Sequence, residues 1–222
     1  MSLVQYYNLL LFRISSSEYH IIGEDVDATD FTSNPAVSGL TTTEETAYDA
    51  TLANIVTLKS TITTLSQLPP GTKLTSLETL DVSNCTAISQ IPTSYSAGLL
   101  TLLVASTKVS SIPTTFSSLK TLEISNCKRI ASVGISSLET LIMSHSAVTE
   151  ITNLNALTRL VALTSKVTSI PAAPNLVVVT WSGVSSSTLS VDPNNTSIVQ
   201  IITTGSTASI TSDNGVITSI VS

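Results

Sequence analysis

The chain has 222 residues, of which 11 % are charged and 4 % aromatic, with a formal net charge of −6. This acidity, with nine scattered Lys and Arg, excludes a phosphate-tracking surface, because nucleic-acid binding needs clustered cations that release counterions. The mean hydropathy of +0.39 excludes a disordered chain, and so few aromatic anchors require a core layered from Leu, Ile and Val.

The opening run LVQYYNLLLFRI is apolar but too short to cross a bilayer, and Gln5, Asn8 and Arg13 interrupt it, so no membrane insertion is expected. No basic stretch precedes it and no small-residue cleavage site follows it, so it does not read as a secretory signal. Two β-rich runs, LLLFRI and YHIIG, lead into the acidic loop EDVDATD and then TTEETAYDATLANI. There Thr42 and Glu45 have the spacing of a capping box and predict a short helix. Residues 1–50 are therefore expected to be an N-terminal cap or docking segment.

Residues 51–210 carry a repeat. LETLDVSNCTAI (77–88) and LKTLEISNCKRI (119–130) nearly copy each other. Aligned on the second leucine, the units are marked by Ile55, Leu80, Leu102, Leu122, Leu141, Leu160, Val179 and Val199, with all but the first gap between 19 and 22 residues. Each unit reads apolar, two residues, apolar, one residue, apolar, as in Leu77, Leu80 and Val82 or Leu119, Leu122 and Ile124. A second apolar pair follows, such as Val109 and Ile112. The alternating core predicts a short strand, and so short a period leaves no room for a returning helix. Each unit is thus expected to form one coil, with a parallel strand on one face and a return that is extended or a single 3₁₀ turn. Coils of this kind are stable only when stacked. Residues 211–222, with Asn214-Gly215, predict a turn and a C-terminal cap.

LETLDVSNCTAISQIP and LKTLEISNCKRIASV resemble the leucine-rich repeat family, LxxLxLxxN/CxLxxL, in its short bacterial or internalin-like form, over about residues 50–210. Ile, Val and Thr replace Leu in the last two units. We read a mainly β repeat solenoid, right-handed, of about eight coils, with one parallel sheet and few or no convex helices. The resemblance implies a non-enzymatic protein-recognition scaffold that binds through its strand face.

The two cysteines, Cys85 and Cys127, fall at one position of the unit, three residues past the strand, where Ser60, Thr107, Ser146, Ser165 and Thr204 stand elsewhere. They are expected to form a hydrogen-bonding ladder where the chain leaves the strand. Two rungs of about 4.8 Å separate the thiols, too far for a disulfide, and two thiols are too few for zinc. The acids Glu24, Asp25, Asp27 and Asp30 lack the glycine and closing glutamate of an EF-hand and read as a solvated loop. No nucleophile elbow or glycine-rich phosphate loop occurs, so no catalytic residue, metal or cofactor is expected. Sequons occur at Asn84 and Asn195.

The outward strand positions are mostly Ser and Thr, which are cheap to solvate, but Leu103, Ile142, Val161 and Leu163 break that pattern. Edged by Asp81, Glu123 and Arg159, they are expected to form a contiguous contact patch, unless the N-terminal segment covers it. The expected function is a structural or protein-interaction scaffold binding a protein partner or sister subunits, extracellular, in a virion appendage or decoration. A bacterial or protist surface recognition module is the alternative. A glycan-active solenoid using Asp81 and Glu123 is a distant third.

Overall fold

A coil whose inward residues are three and then two positions apart cannot close a core alone, so each must bury its aliphatic side chains against its neighbours. The structure, a computed structural model, describes residues 3–6, 9–13, 15–24, 52–68, 71–96, 98–183, 188–203, 209–213 and 216–221. Three N-terminal strands, β1 (Leu3–Tyr6), β2 (Leu9–Arg13) and β3 (Glu18–Glu24), form an antiparallel meander. β3 then pairs in parallel with β4 (Thr57–Ser60), followed by β5 (Thr79–Asp81), β6 (Thr101–Leu103) and β7 (Thr121–Glu123). The short β8 (Ser132–Val133) lies on a return segment, and β9 (Thr140–Ile142) resumes the main sheet. The alternation continues through β10 (Glu150–Ile151), β11 (Arg159–Ser165), β12 (Ser169–Ile170), β13 (Val178–Gly183), β14 (Thr188–Val191) and β15 (Gln200–Thr203). A last hairpin comprises β16 (Ser209–Asp213) and β17 (Val216–Val221).

The result is a parallel β-solenoid of about seven turns, whose main sheet has 11 strands in the order β1-β2-β3-β4-β5-β6-β7-β9-β11-β13-β15. Among the described residues the returns are irregular in the first coils, with a 3₁₀ turn at Thr93–Tyr95, and become strands later. β8 pairs with β10, and β12, β14, β17 and β16 form a second small sheet. The terminal hairpin packs there rather than on the main sheet. The capping-box helix, the acids from Asp25 to Asp30, Thr204 and the Asn214-Gly215 turn lie outside the described residues.

Inward side chains stack in register from Leu58 through Leu80, Leu102, Leu122, Leu141 and Leu160 to Val179, all buried. This register corrects both ends of the sequence alignment. Leu58, not Ile55, pairs with Leu80, and Ile201, not Val199, pairs with Val179. Ile55 is instead the first apolar residue of its unit, as Leu77 is of the next, and is fully buried. Ser60 accordingly occupies the last strand position of its coil, opposite Ile21, rather than the ladder position beyond it.

The turn leaving the strand repeats too. Asn84, Ser106, Asn126, His145 and Thr164 have positive φ at one position on five consecutive rungs, from 49° at Thr164 to 69° at Asn84. There the carbon chain swings away from the sheet, a bend that asparagine tolerates and β-branched threonine resists.

The insertion before β5 is pinned to the next coil. The Gly71 N–H donates to Ser94 Oγ at 2.9 Å, and a β-carbon there would lie 2.5 Å from the Tyr95 ring and 2.7 Å from the Ser94 backbone. Gly71→Ala is therefore expected to cost about 2 kcal/mol by forcing two packed coils apart. A thermal melt of the variant checks this, and an unchanged midpoint would show that the insertion is loosely held.

Candidate interaction surface

The ladder behind the turn fixes which side chains face out. Thr107 Oγ1 donates to Val104 O at 2.8 Å and accepts the Val109 N–H at 3.4 Å. Cys127 Sγ also donates to Val104 O, at 3.1 Å, and lies 3.6 Å from Thr107 Oγ1. Thr107 thus stands on the rung between the two cysteines. Cys85 Sγ donates to Ser60 O at 3.4 Å, and both thiols are free and buried. Burial pushes the Cys85 thiol above its ordinary value, which keeps it a hydrogen-bond donor rather than a nucleophile. Ser146 and Ser165 are buried as well and accept the N–H two residues on, at 3.4 and 3.1 Å. Thr107→Val keeps the volume but strands the Val109 N–H, and is expected to cost about 1–2 kcal/mol. Cys127→Ser keeps a donor and should cost less; urea midpoints of the two variants rank them.

On the outer face one column runs His20, Lys59, Asp81, Leu103, Glu123, Ile142, Val161, Thr180 and Ile202. The column beside it carries Thr57, Thr79, Thr101, Thr121 and Thr140 in direct register, then Arg159. The four predicted aliphatic residues are half-buried rather than open, since ladder neighbours shield each side. They do not form one contiguous patch. Ile142 and Val161 pair on adjacent rungs, and Leu163 lies two residues along the same strand as Val161. Leu103 is cut off, because Glu123 stands between it and Ile142 in register.

The corrected register adds what the sequence alignment missed. Ile202 joins the column of Val161 and Thr180 and is 42 % exposed, while Val199, expected in the core, is 80 % exposed. Both lie on the last rung of the main sheet, beyond which no described strand pairs with β15. The signal was present in the sequence: Ile198, Ile201 and Thr203 repeat the spacing of Leu176, Val179 and Trp181. Ser182, on the rung after Leu163, is buried. β13 is one residue shorter than β11 across an irregularity, and Ser182 Oγ accepts the Thr164 N–H at 2.7 Å.

Asp81 and the charges toward the N-terminal end of this face have local partners. Asp81 Oδ1 accepts the Ser83 N–H at 3.1 Å, which holds its own turn. Toward the N-terminal end Lys59 Nζ and His20 Nε2 lie 3.0 and 3.1 Å from Glu18 Oε1. The Lys59 ammonium, and then His20, hold the Glu18 carboxyl below the usual range. A shallow concavity of about 300 Å³ is lined by His20, Lys59 and Asp81 but not by Glu123. Asp81 and Glu123 stand two rungs apart with Leu103 between them. Arg159 is exposed at the start of β11. Of the sequons, Asn195 is buried and bonded to Ala173 N–H and Pro171 O, whereas Asn84 is exposed at its turn.

Among the described residues no group of three or more His, Cys, Asp or Glu is placed to hold a metal ion, and no helix is long and apolar enough to cross a membrane. No family model, curated protein or solved structure matches the chain.

Proposed function

We propose that this chain is a non-catalytic scaffold that makes protein contacts through its strand face, as a structural subunit of a larger assembly such as a virion appendage or decoration. The observation that carries this reading is the row Ile142, Val161 and Leu163 on a broad sheet, together with a last rung that leaves Val199 and Ile202 exposed. Aliphatic side chains on an otherwise Ser- and Thr-rich face are costly to leave in water, and a partner's apolar surface relieves that cost. The meander β1–β3 extends the same sheet, so a partner lying along it meets the N-terminal segment as well. Sister subunits or a different protein meet the same requirement.

Quantitative mass spectrometry of purified particles and of envelope fractions from the source tests the setting. A fixed copy number per particle supports a structural subunit, whereas monomers on a cell envelope would replace that reading with surface recognition. Cleavage of a glycan that disappears in Asp81→Asn/Glu123→Gln would replace both with an enzyme.

A further inference from the structure

The sequence scatters its basic residues, but the coils gather several of them on one edge. Lys108, Lys128 and Lys166 occupy the same coil position, four residues beyond the last inward residue of their strands, on the rungs of β6, β7 and β11. Arg129 follows Lys128, and His145 stands in the turn of the intervening β9 rung. All five are exposed. Four consecutive rungs at about 4.8 Å place them along roughly 14 Å.

Two observations separate this edge from the rest of the surface. On the strand side Lys59 pairs with Glu18 at 3.0 Å and Lys120 with Glu139 at 2.8 Å, while Arg159 stands alone at the start of β11, with no ion pair among the described residues. Lys108, Arg129 and Lys166 make no ion pair among the described residues, and Lys128 spends one donor on the backbone carbonyl of His145. The sequence also withholds anions here. No Asp or Glu occurs between Asp81 and Glu123, between Glu123 and Glu139, or between Glu150 and Asp192. An unneutralised cationic ridge therefore runs along a protein of net charge −6.

We infer that this turn edge binds a linear anionic polysaccharide, with Lys108, Lys128, Arg129 and Lys166 meeting successive carboxylate or sulfate groups. Around the cations the exposed side chains include Ser110, Asn126, Thr149 and Thr168, small hydroxyls and amides suited to sugar hydroxyls, and the nearest carboxylate in the chain, Glu150, follows Thr149 on the return segment. An acidic protein would need an apolar anchor at the centre of the contact, and the edge has none. Single-stranded nucleic acid needs a row of aromatic stacking platforms, and between Phe116 and Trp181 there is no Phe, Tyr or Trp and only one imidazole, His145. The inference does not depend on the strand-face reading, because it uses the other edge of each strand.

The test measures binding of the full chain to heparin and to polygalacturonate by calorimetry across a salt series, with oligothymidylate as competitor. The expected result is binding to at least one polysaccharide, with log affinity falling about three to four units per log unit of salt. K108S/K128S/R129S/K166S, all exposed positions, should lose at least about tenfold at low salt and most of that salt slope, with an unchanged circular dichroism spectrum. Heparin binding alone assigns sulfate, and polygalacturonate binding assigns carboxylate. No binding of either polymer at low salt, or equal binding by the quadruple variant, would overturn the inference. So would oligothymidylate competing as well as the polysaccharide, which would make the edge a generic polyanion site. If the quadruple variant misfolds, K108E/K166E gives the same reading with two changes.

Discussion

Trp181→Ala is expected to release the C-terminal coils while the central ones stay folded. Trp181 is fully buried at the last inward position of β13, where other coils carry Val82, Val104, Ile124 or Met143. The rung before it supplies Ala162 in register, a small residue facing the large one. The two volumes balance across one rung, so removing the indole leaves a cavity that Ala162 cannot fill. The cost should be about 3–5 kcal/mol. In a solenoid that loss stays local, because each coil touches only its neighbours. Hydrogen exchange should therefore accelerate in β13 to β15 and remain slow in β5 to β7. Trp181→Phe sharpens the argument, since Trp181 Nε1 is buried without a partner among the described residues. Phenylalanine removes that stranded donor along with some volume, so its cost should be well below that of alanine. Equal costs for the two variants would mean that the cavity left by alanine is not what destabilises these coils.

Ile142→Asp combined with Val161→Asp is expected to abolish the partner complex without unfolding the chain. The two residues pair across adjacent rungs on the outer face and are only half-buried, so aspartate there reaches water. In an assembled contact the same carboxylates would be buried facing an apolar surface. If both side chains are anchors, the loss is about 4 kcal/mol, roughly a thousandfold in affinity. Leu103→Asp is the internal control. It lies beyond Glu123 and between two carboxylates, so its effect on the complex should be much smaller. Light scattering on the native complex measures both.

The architecture was legible because one physical rule recurs in every coil. The LxxLxV spacing requires inward positions on a strand, and from Leu80 to Val179 the pairing follows the sequence alignment residue by residue. It failed at the two ends for the same reason. Where β-branched residues crowd together, as in VTLKS and SIVQII, several apolar side chains compete for the inward column, and only the stacked neighbour decides between them. Val199 shows the consequence, being 80 % exposed because Ile198 and Ile201 took the inward places.

The ladder was legible in kind, since a small hydrogen-bonding side chain is needed wherever the chain leaves the strand. Its partners were not, because Cys127 and Thr107 share Val104 O across coils 20 residues apart in sequence. The contact face was legible only in part. Alternation identified Ile142, Val161 and Leu163 as outward, but their half-burial depends on flanking rungs. The burial of Ser182 depends on β13 being one residue short. The cationic edge was invisible for a different reason, since residues about 20 positions apart become neighbours only after coiling.

The most direct test of the strand-face scaffold is hydroxyl-radical footprinting of the chain, first alone and then within its native assembly. The account predicts that Ile142, Val161 and Leu163 lose reactivity on assembly, with Ile202 protected on the last rung. Unchanged labelling at all four residues, with protection confined to the return segments, would contradict it.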